Sequence, residues 1–220
     1  MMLHLPSITQ RSRRKHLKTM KIDPQNNDTK TRCPWCESKR LDRHYHDTEW
    51  GVPMHKDRDL LELLILEGAQ AGLSWSTVLA KREGYKRVFK NFDAQKIVAF
   101  THADIADAMA DTGIVRNKLK INSTIGNARA YLAAQEKYGS FDAFLWQIVG
   151  GKPIVNTWTA SSQVPAKTAE SDAMSKMLLA HGFKFVGSTI CYAFMQASGM
   201  VNDHLVGCYR YSEVLKSSKK

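Results

Sequence analysis

One stretch decides most of what this chain can become. From Leu60 to Ser76 it reads Leu-Leu-Glu-Leu-Leu-Ile-Leu-Glu-Gly-Ala-Gln-Ala-Gly-Leu-Ser-Trp-Ser, the most apolar run in the sequence. Laid on a helix, Leu60, Leu64 and Ala71 share one stripe, and Glu67 falls on that stripe too. Glu62 can point to water; Glu67 is the misfit, because burying an unpaired carboxylate costs several kcal/mol. Two readings stand. Glu67 sits on the helix rim, or it forms the floor of a pocket. Trp75 follows shortly, past Gly72 and a Ser74 suited to cap the next helix. A carboxylate and an indole so placed can hold a flat, polar, cationic ring.

The rest of the chain is read around that helix. It is expected to run from about 59 to 71, with another from 74 to about 83. Asp93 can cap a short helix reaching Phe100, and Thr101 to Asp104 reads as a capping box for one that stops at Gly113. Arg116 to about Tyr138 is long and amphipathic; Ser140, Ser171 and Ser188 open three more, ending at Val149, Gly182 and Gly199. No segment alternates with period two, so the fold is expected to be all-α with little or no sheet. Residues 150–168 read as a long loop.

Three parts are expected: a basic flexible leader over 1–31, one domain over 32–209, and a basic C-terminal tail over 210–220. The net charge of +11 sits mostly at the ends, with seven Lys/Arg against two Asp in 1–31 and four against one Glu in 210–220. Such charge is compatible with a nucleic-acid partner without requiring one. No apolar run approaches the ~20 residues of a membrane span, and the N-terminus lacks an apolar signal stretch. A soluble cytoplasmic protein is expected.

Residues 32–53 lack a helical or strand period but are dense in Cys33-Pro-Trp-Cys36, His44-Tyr45-His46 and Glu49-Trp50-Gly51. Cys33 and His46, with His204 and Cys208 four apart near the other end and so expected on one helical face, make a candidate Cys2His2 set. Four protein ligands close a zinc site, so its role would be structural. Cys36 leaves the ligand choice open, since a CxxC can supply both ligands of a ribbon site or a redox pair. Cys191 reads as core. Trp35, Tyr45, Trp50 and Trp75 gather around the expected pocket. Residues 106–121 read either as a helix-hairpin-helix element, in which Gly113, Arg116 and Lys118 would hold a DNA phosphate, or as an ordinary helical hairpin.

Together these blocks resemble the 3-methyladenine DNA glycosylase I family. The resemblance runs from Arg32 to about Tyr209, through Tyr45-His46-Asp47-Thr48-Glu49-Trp50-Gly51-Val52-Pro53, Leu66 to Trp75, Ile125 to Tyr131, Gly182 to Tyr192 and Val201-Asn202-Asp203-His204. It implies an all-α helix-hairpin-helix glycosylase with structural Zn2+ on Cys33, His46, His204 and Cys208. It also implies a base pocket shaped by Glu67, the candidate catalytic residue, with Tyr45, Trp35, Trp50 and Trp75. The implied activity is monofunctional: 3-methyladenine is flipped out of double-stranded alkylated DNA and released as free base, by a monomer with no membrane association. Two features depart from the pattern, the extra thiol Cys36 and the basic leader. The catalytic aspartate of the wider superfamily has no marked counterpart, although Glu136 and Asp142 fall nearby. A zinc-stabilised nucleic-acid-binding module without catalysis would explain the metal set and basic tails, but not Glu67.

Overall fold

The computed structural model describes residues 29–217. Residues 1–28, which hold most of the expected leader, and 218–220 lie outside the described residues. The helices among the described residues are α1 (Arg40–Thr48), α2 (Asp57–Gln70), α3 (Trp75–Leu79), α4 (Arg82–Val88), α5 (Ala94–Val98), α6 (His102–Ala110), α7 (Lys118–Tyr138), α8 (Phe141–Trp146), α9 (Ala169–Ala180), α10 (Ser188–Ala197) and α11 (Tyr209–Ser217). A single two-residue parallel ladder joins β1 (Ile154–Val155) to β2 (Val201–Asn202), pairing Ile154 with Val201. The all-α expectation therefore holds. No described helix is long and apolar enough to cross a membrane.

The axis of the fold is α2. Every residue from Leu60 to Ala69 is buried, because α3, α7, α8 and α10 pack around it. A helix apolar on one stripe would keep a wet face; this one is buried all round. Glu62 is therefore largely withdrawn from water: it is buried and ion-paired with Arg82, Oε1 to Nε 2.5 Å, while Arg82 also binds Glu49 at 2.6 Å. That network fastens α1 and α4 to the central helix. At the far end of α2, Lys120 donates its Nζ to the carbonyls of Ala69 and Ala71, at 2.8 and 2.7 Å. A cation on last-turn carbonyls satisfies acceptors the helix itself leaves open. Gly72, at φ +77°, then turns the chain into α3.

Several boundaries follow from caps read in the sequence. Asp93 caps α5, Thr101 and Asp104 form the capping box of α6, and Ser140 caps α8. Other expectations need correction. The segment 74–83 is not one helix but two, α3 and α4, broken at residues 80–81. Thr168, not Ser171, caps α9. Residues 40–48, read as irregular, are helical. The buried face of α1 is Asp42, Tyr45 and His46, two of them polar, so it leaves no apolar period to detect. His204 and Cys208 lie on a turn rather than a helix, so their spacing of four does not reflect a helical face. Most of the stretch read as a basic tail is helical in α11, with Val214 buried against the domain.

Helix propensity alone makes Gly84→Ala in α4 stabilising by up to about 1 kcal/mol. Here a Cβ on Gly84 would lie 2.1 Å from the carbonyl oxygen of Gly113. The variant is expected to lose about 2 kcal/mol or more in urea denaturation. A gain in stability would show that the contact between α4 and the turn after α6 is not as close as described.

Candidate active site and metal centre

The one-turn helix at Pro34–Cys36, α1, the turn after it, α2 and the start of α3 deliver Trp35, Tyr45, Trp50, Glu67 and Trp75 to one cavity of about 380 Å³. Cys33, Gln70, Ser161, Val164, Ala193, Gln196, Asp203 and Leu205 complete its wall. Trp35 and Trp50 meet edge to face at 5.1 Å, and Tyr45 leans on Trp75 at 5.2 Å. Ser74 caps α3 by accepting from the Thr77 amide, which fixes where Trp75 begins its helix. Among the described residues, the buried indole Nε1 of Trp75 has no hydrogen-bond partner.

Glu67 is 4% exposed. Among the described residues it has no hydrogen bond or ion pair. Burial with nothing to offset it pushes its carboxyl up to about 8. Tyr45 is driven the same way, first by its own burial and then by the charge of Glu67, so its phenol stays protonated and can donate. The cavity therefore presents the carboxyl of Glu67 and aromatic faces: equipment for a flat ring with its own donors.

Against this wall stands a cluster of Cys33, His46, His204 and Cys208, all buried, with ligand atoms within 4.8 Å of one another. Cys208 Sγ lies 3.4 Å from His46 Nε2 and 3.7 Å from His204 Nδ1; Cys33 Sγ lies 3.7 Å from the same His204 nitrogen. The outward nitrogens are also engaged. His46 Nδ1 meets Asp47 at 2.8 Å, and His204 Nε2 meets the Trp50 carbonyl at 3.0 Å. Burial pushes the Asp47 carboxyl up, but hydrogen bonds from Arg32, His46 and Tyr209 outweigh it and hold the group at about 2. Such partners orient imidazoles for a metal ion, and the set can hold one. Gly51, at φ +82°, is required here, because a Cβ would sit 2.9 Å from His204 Nε2. Cys36 stands outside the cluster: its thiol donates to the Cys33 carbonyl at 3.1 Å and is pushed up to about 12, chiefly by burial. Of the two CxxC thiols, Cys33 is the one that joins the cluster.

Gly113, Arg116 and Lys118 do not line the cavity. The Gly113 amide donates to Asp111 at 2.7 Å, Asp111 pairs with Arg87, and Arg116 and Lys118 are exposed at the start of α7. Glu136 and Asp142 also stand away from the cavity; Asp142 pairs with His55 at 2.9 Å. The residue that sequence reasoning missed is Asp203. It is 3% exposed, lies in the cavity wall, and accepts four hydrogen bonds, from Asn156, Trp158, Tyr192 and Gln196. Its only signal in the sequence was its place beside His204. Ser161 and Val164 come from a loop that closes on itself: Gln163 Oε1 accepts from the Thr159 amide and hydroxyl and from the Ala160 amide.

Residues 35–211 match the family model described as methyladenine glycosylase. The chain is 49% identical over 180 residues to DNA-3-methyladenine glycosylase 1 of Escherichia coli, covering 82% of this chain and 96% of that protein. A crystal structure of a 3-methyladenine DNA glycosylase I superposes with a TM-score of 0.80 at 47% identity, over 81% of this chain and 98% of the other. A second, a single-residue variant of such an enzyme in complex with 3-methyladenine, gives 0.79 at 33% identity, over 86% and 98%.

The folded protein keeps a proton on Glu67 up to about pH 8, whereas the unfolded chain releases it near 4.5. The folded state thus binds more protons across that window, and this group's contribution to stability falls as pH rises through it. Glu67→Gln removes that dependence. Its stability advantage over wild type is expected to grow from about pH 4.5 to about pH 8, reaching up to a few kcal/mol, and to level off above. Urea denaturation across a pH series measures it; an advantage that shrinks with rising pH contradicts the assignment.

Proposed function

The chain belongs to the methyladenine glycosylase family, and we propose that it repairs alkylated DNA by excising 3-methyladenine as the free base. The observation that carries this reading is the partnerless carboxyl of Glu67 facing an aromatic cavity of about 380 Å³, a volume suited to one purine. The chemistry fits. N3-methylation places a positive charge on the adenine ring; when the glycosidic bond breaks, its electron pair stays with the purine and the charge disappears. Water adds at the sugar C1′ and releases a proton. The leaving group is good, so selection of the right base is the harder task.

Extruding a nucleotide costs a few kcal/mol, and one aromatic stack returns about 1–3 kcal/mol. Stacking on Trp75 and its neighbours would barely balance extrusion and cannot separate methylated from ordinary adenine. Charge and hydrogen bonding can. A cation entering the cavity lowers the cost of ionising Glu67, which then accepts hydrogen bonds from the base as a carboxylate. Because Glu67 meets the cation before the reaction as well as during it, its first role is recognition. Tyr45, which leans on Trp75, donates to the base, and Trp35 and Trp50 close the ring's edges. Arg116 and Lys118 are proposed as contacts to the duplex backbone, at the turn shaped by Gly113.

The cluster is proposed to hold Zn2+. Bonds of about 2.3 Å to sulfur and about 2.05 Å to nitrogen at tetrahedral angles place sulfur and nitrogen ligands about 3.6 Å apart. The separations of 3.4, 3.7 and 3.7 Å support that ion and geometry. With four protein ligands the ion would have no open position, so its part is to fasten Trp35 and Trp50 to the wall.

Incubating N-methylated DNA with the protein and chromatographing the supernatant is expected to yield free 3-methyladenine; absence of released base sinks the reading. In single-turnover measurements, Glu67→Gln is expected to raise the half-saturating enzyme concentration by at least about tenfold, with a smaller effect on the limiting rate. A collapse of the limiting rate at unchanged affinity would reverse the order of roles given to Glu67. For the metal, Cys36→Ser is expected to retain about one zinc per chain by elemental analysis and Cys33→Ser to lose it; equal loss in both would bring Cys36 into the site.

A further inference from the structure

Asp203 is a buried carboxylate with both oxygens doubly hydrogen-bonded. Its Oδ1 accepts from Asn156 Nδ2 at 2.7 Å and Trp158 Nε1 at 2.8 Å; its Oδ2 accepts from Tyr192 OH at 2.5 Å and Gln196 Nε2 at 2.8 Å. All four donors are neutral. Indole and amide N–H groups can only donate, and two donors on each oxygen fill the acceptor positions of a carboxylate. Among the described residues no Lys, Arg or His makes an ion pair with it. The result is an acceptor-only anion, 3% exposed, held by dipoles instead of a countercharge, in the wall of the cavity. A network needed only to join a loop to a helix could be built without a net charge, and an isolated buried charge is costly.

We propose that Asp203 is a specificity-determining residue, supplying the standing negative charge by which the cavity prefers a cationic purine to a neutral one. This rests on the base-excision reading above and deepens it. The division of labour suits the cavity. Glu67 touches the base, but its burial keeps a proton on it near neutral pH until a cation arrives. Asp203 acts through space instead, and its hydrogen bonds are already complete.

The test compares two duplexes of one sequence, carrying either cationic 3-methyladenine or its neutral 3-deaza isostere, in which carbon replaces the charged ring's N3. Binding of the first is read as half-saturation of single-turnover base release, and of the second as fluorescence anisotropy. Asp203→Asn is expected to lower the preference for the cation on the order of tenfold, leaving affinity for the neutral duplex within about threefold. Tyr192→Phe and Trp158→Phe each delete a donor but keep the charge, and should keep the preference. The exchange Asp203→Asn with Gln196→Glu moves the charge across one hydrogen bond and should restore the preference, including where the single variant folds poorly. Equal weakening of both duplexes by Asp203→Asn, loss of preference in the donor deletions, or a folded exchange variant without restoration overturns the proposal. Wild type that releases base but binds both duplexes alike overturns it too, while upholding base excision. Wild type that releases no base overturns the excision reading itself.

Discussion

The cavity exists because two distant parts of the polypeptide are drawn to one point. His46 and Cys208 meet across 162 positions of sequence, and Cys33 and His204 across 171. The segment carrying Cys33, Trp35, Tyr45, His46 and Trp50 contributes few side chains to the apolar core, so packing alone gives it little reason to hold one shape. Ligation does. A structural zinc contributes on the order of 10–16 kcal/mol, against about 5–15 kcal/mol for the net stability of a whole domain. The tie also reaches the site directly, since His204 holds the Trp50 carbonyl and Arg32 and Asp47 hold His46 in turn.

Given that frame, the electrostatics of the cavity rest on two carboxylates treated in opposite ways. Glu67 is denied every partner and rises to about 8. Asp203 is given four. In the reading proposed above, the first changes state when a charged ligand arrives, and the second is a constant part of the surroundings. Two buried acids in the same state would either repel each other or attract nothing, and the difference in hydrogen bonding removes both problems.

Much of this could be read in the chain itself, for identifiable reasons. A carboxylate in an apolar run is conspicuous because its burial is costly, so Glu67 and the central helix stood out, as did the caps at Asp93, Thr101 and Ser140. Thiols and imidazoles are scarce and chemically specific, so the four cluster residues could be assembled across the gap, although whether Cys33 or Cys36 belonged with them required coordinates. What escaped notice was encoded in pairing rather than pattern. The buried face of α1 is largely polar and has no apolar period; Glu62 appeared solvent-bound because its partner Arg82 lies on another helix. The importance of Asp203 comes from donors at 156, 158, 192 and 196, which no spacing rule connects. Gly113 suggested a phosphate turn, yet a Cβ there would sit 2.7 Å from Arg87 Nη2 and 2.8 Å from Asp111 Oδ1, which gives the glycine a packing reason.

The loop bearing Ser161 and Val164 makes its bonds inward, through Gln163, and joins the frame mainly at β1 and through Asn156 and Trp158. One side of the cavity is therefore a cassette. Among the described residues, the side-chain bonds of its tip run within the loop rather than to the ligand cluster, the central helix or either acid, while Val164 packs against the core. Evolution, or a protein engineer seeking an enzyme for bulkier alkyl lesions, has in this loop a dial for width that is separate from the one for charge.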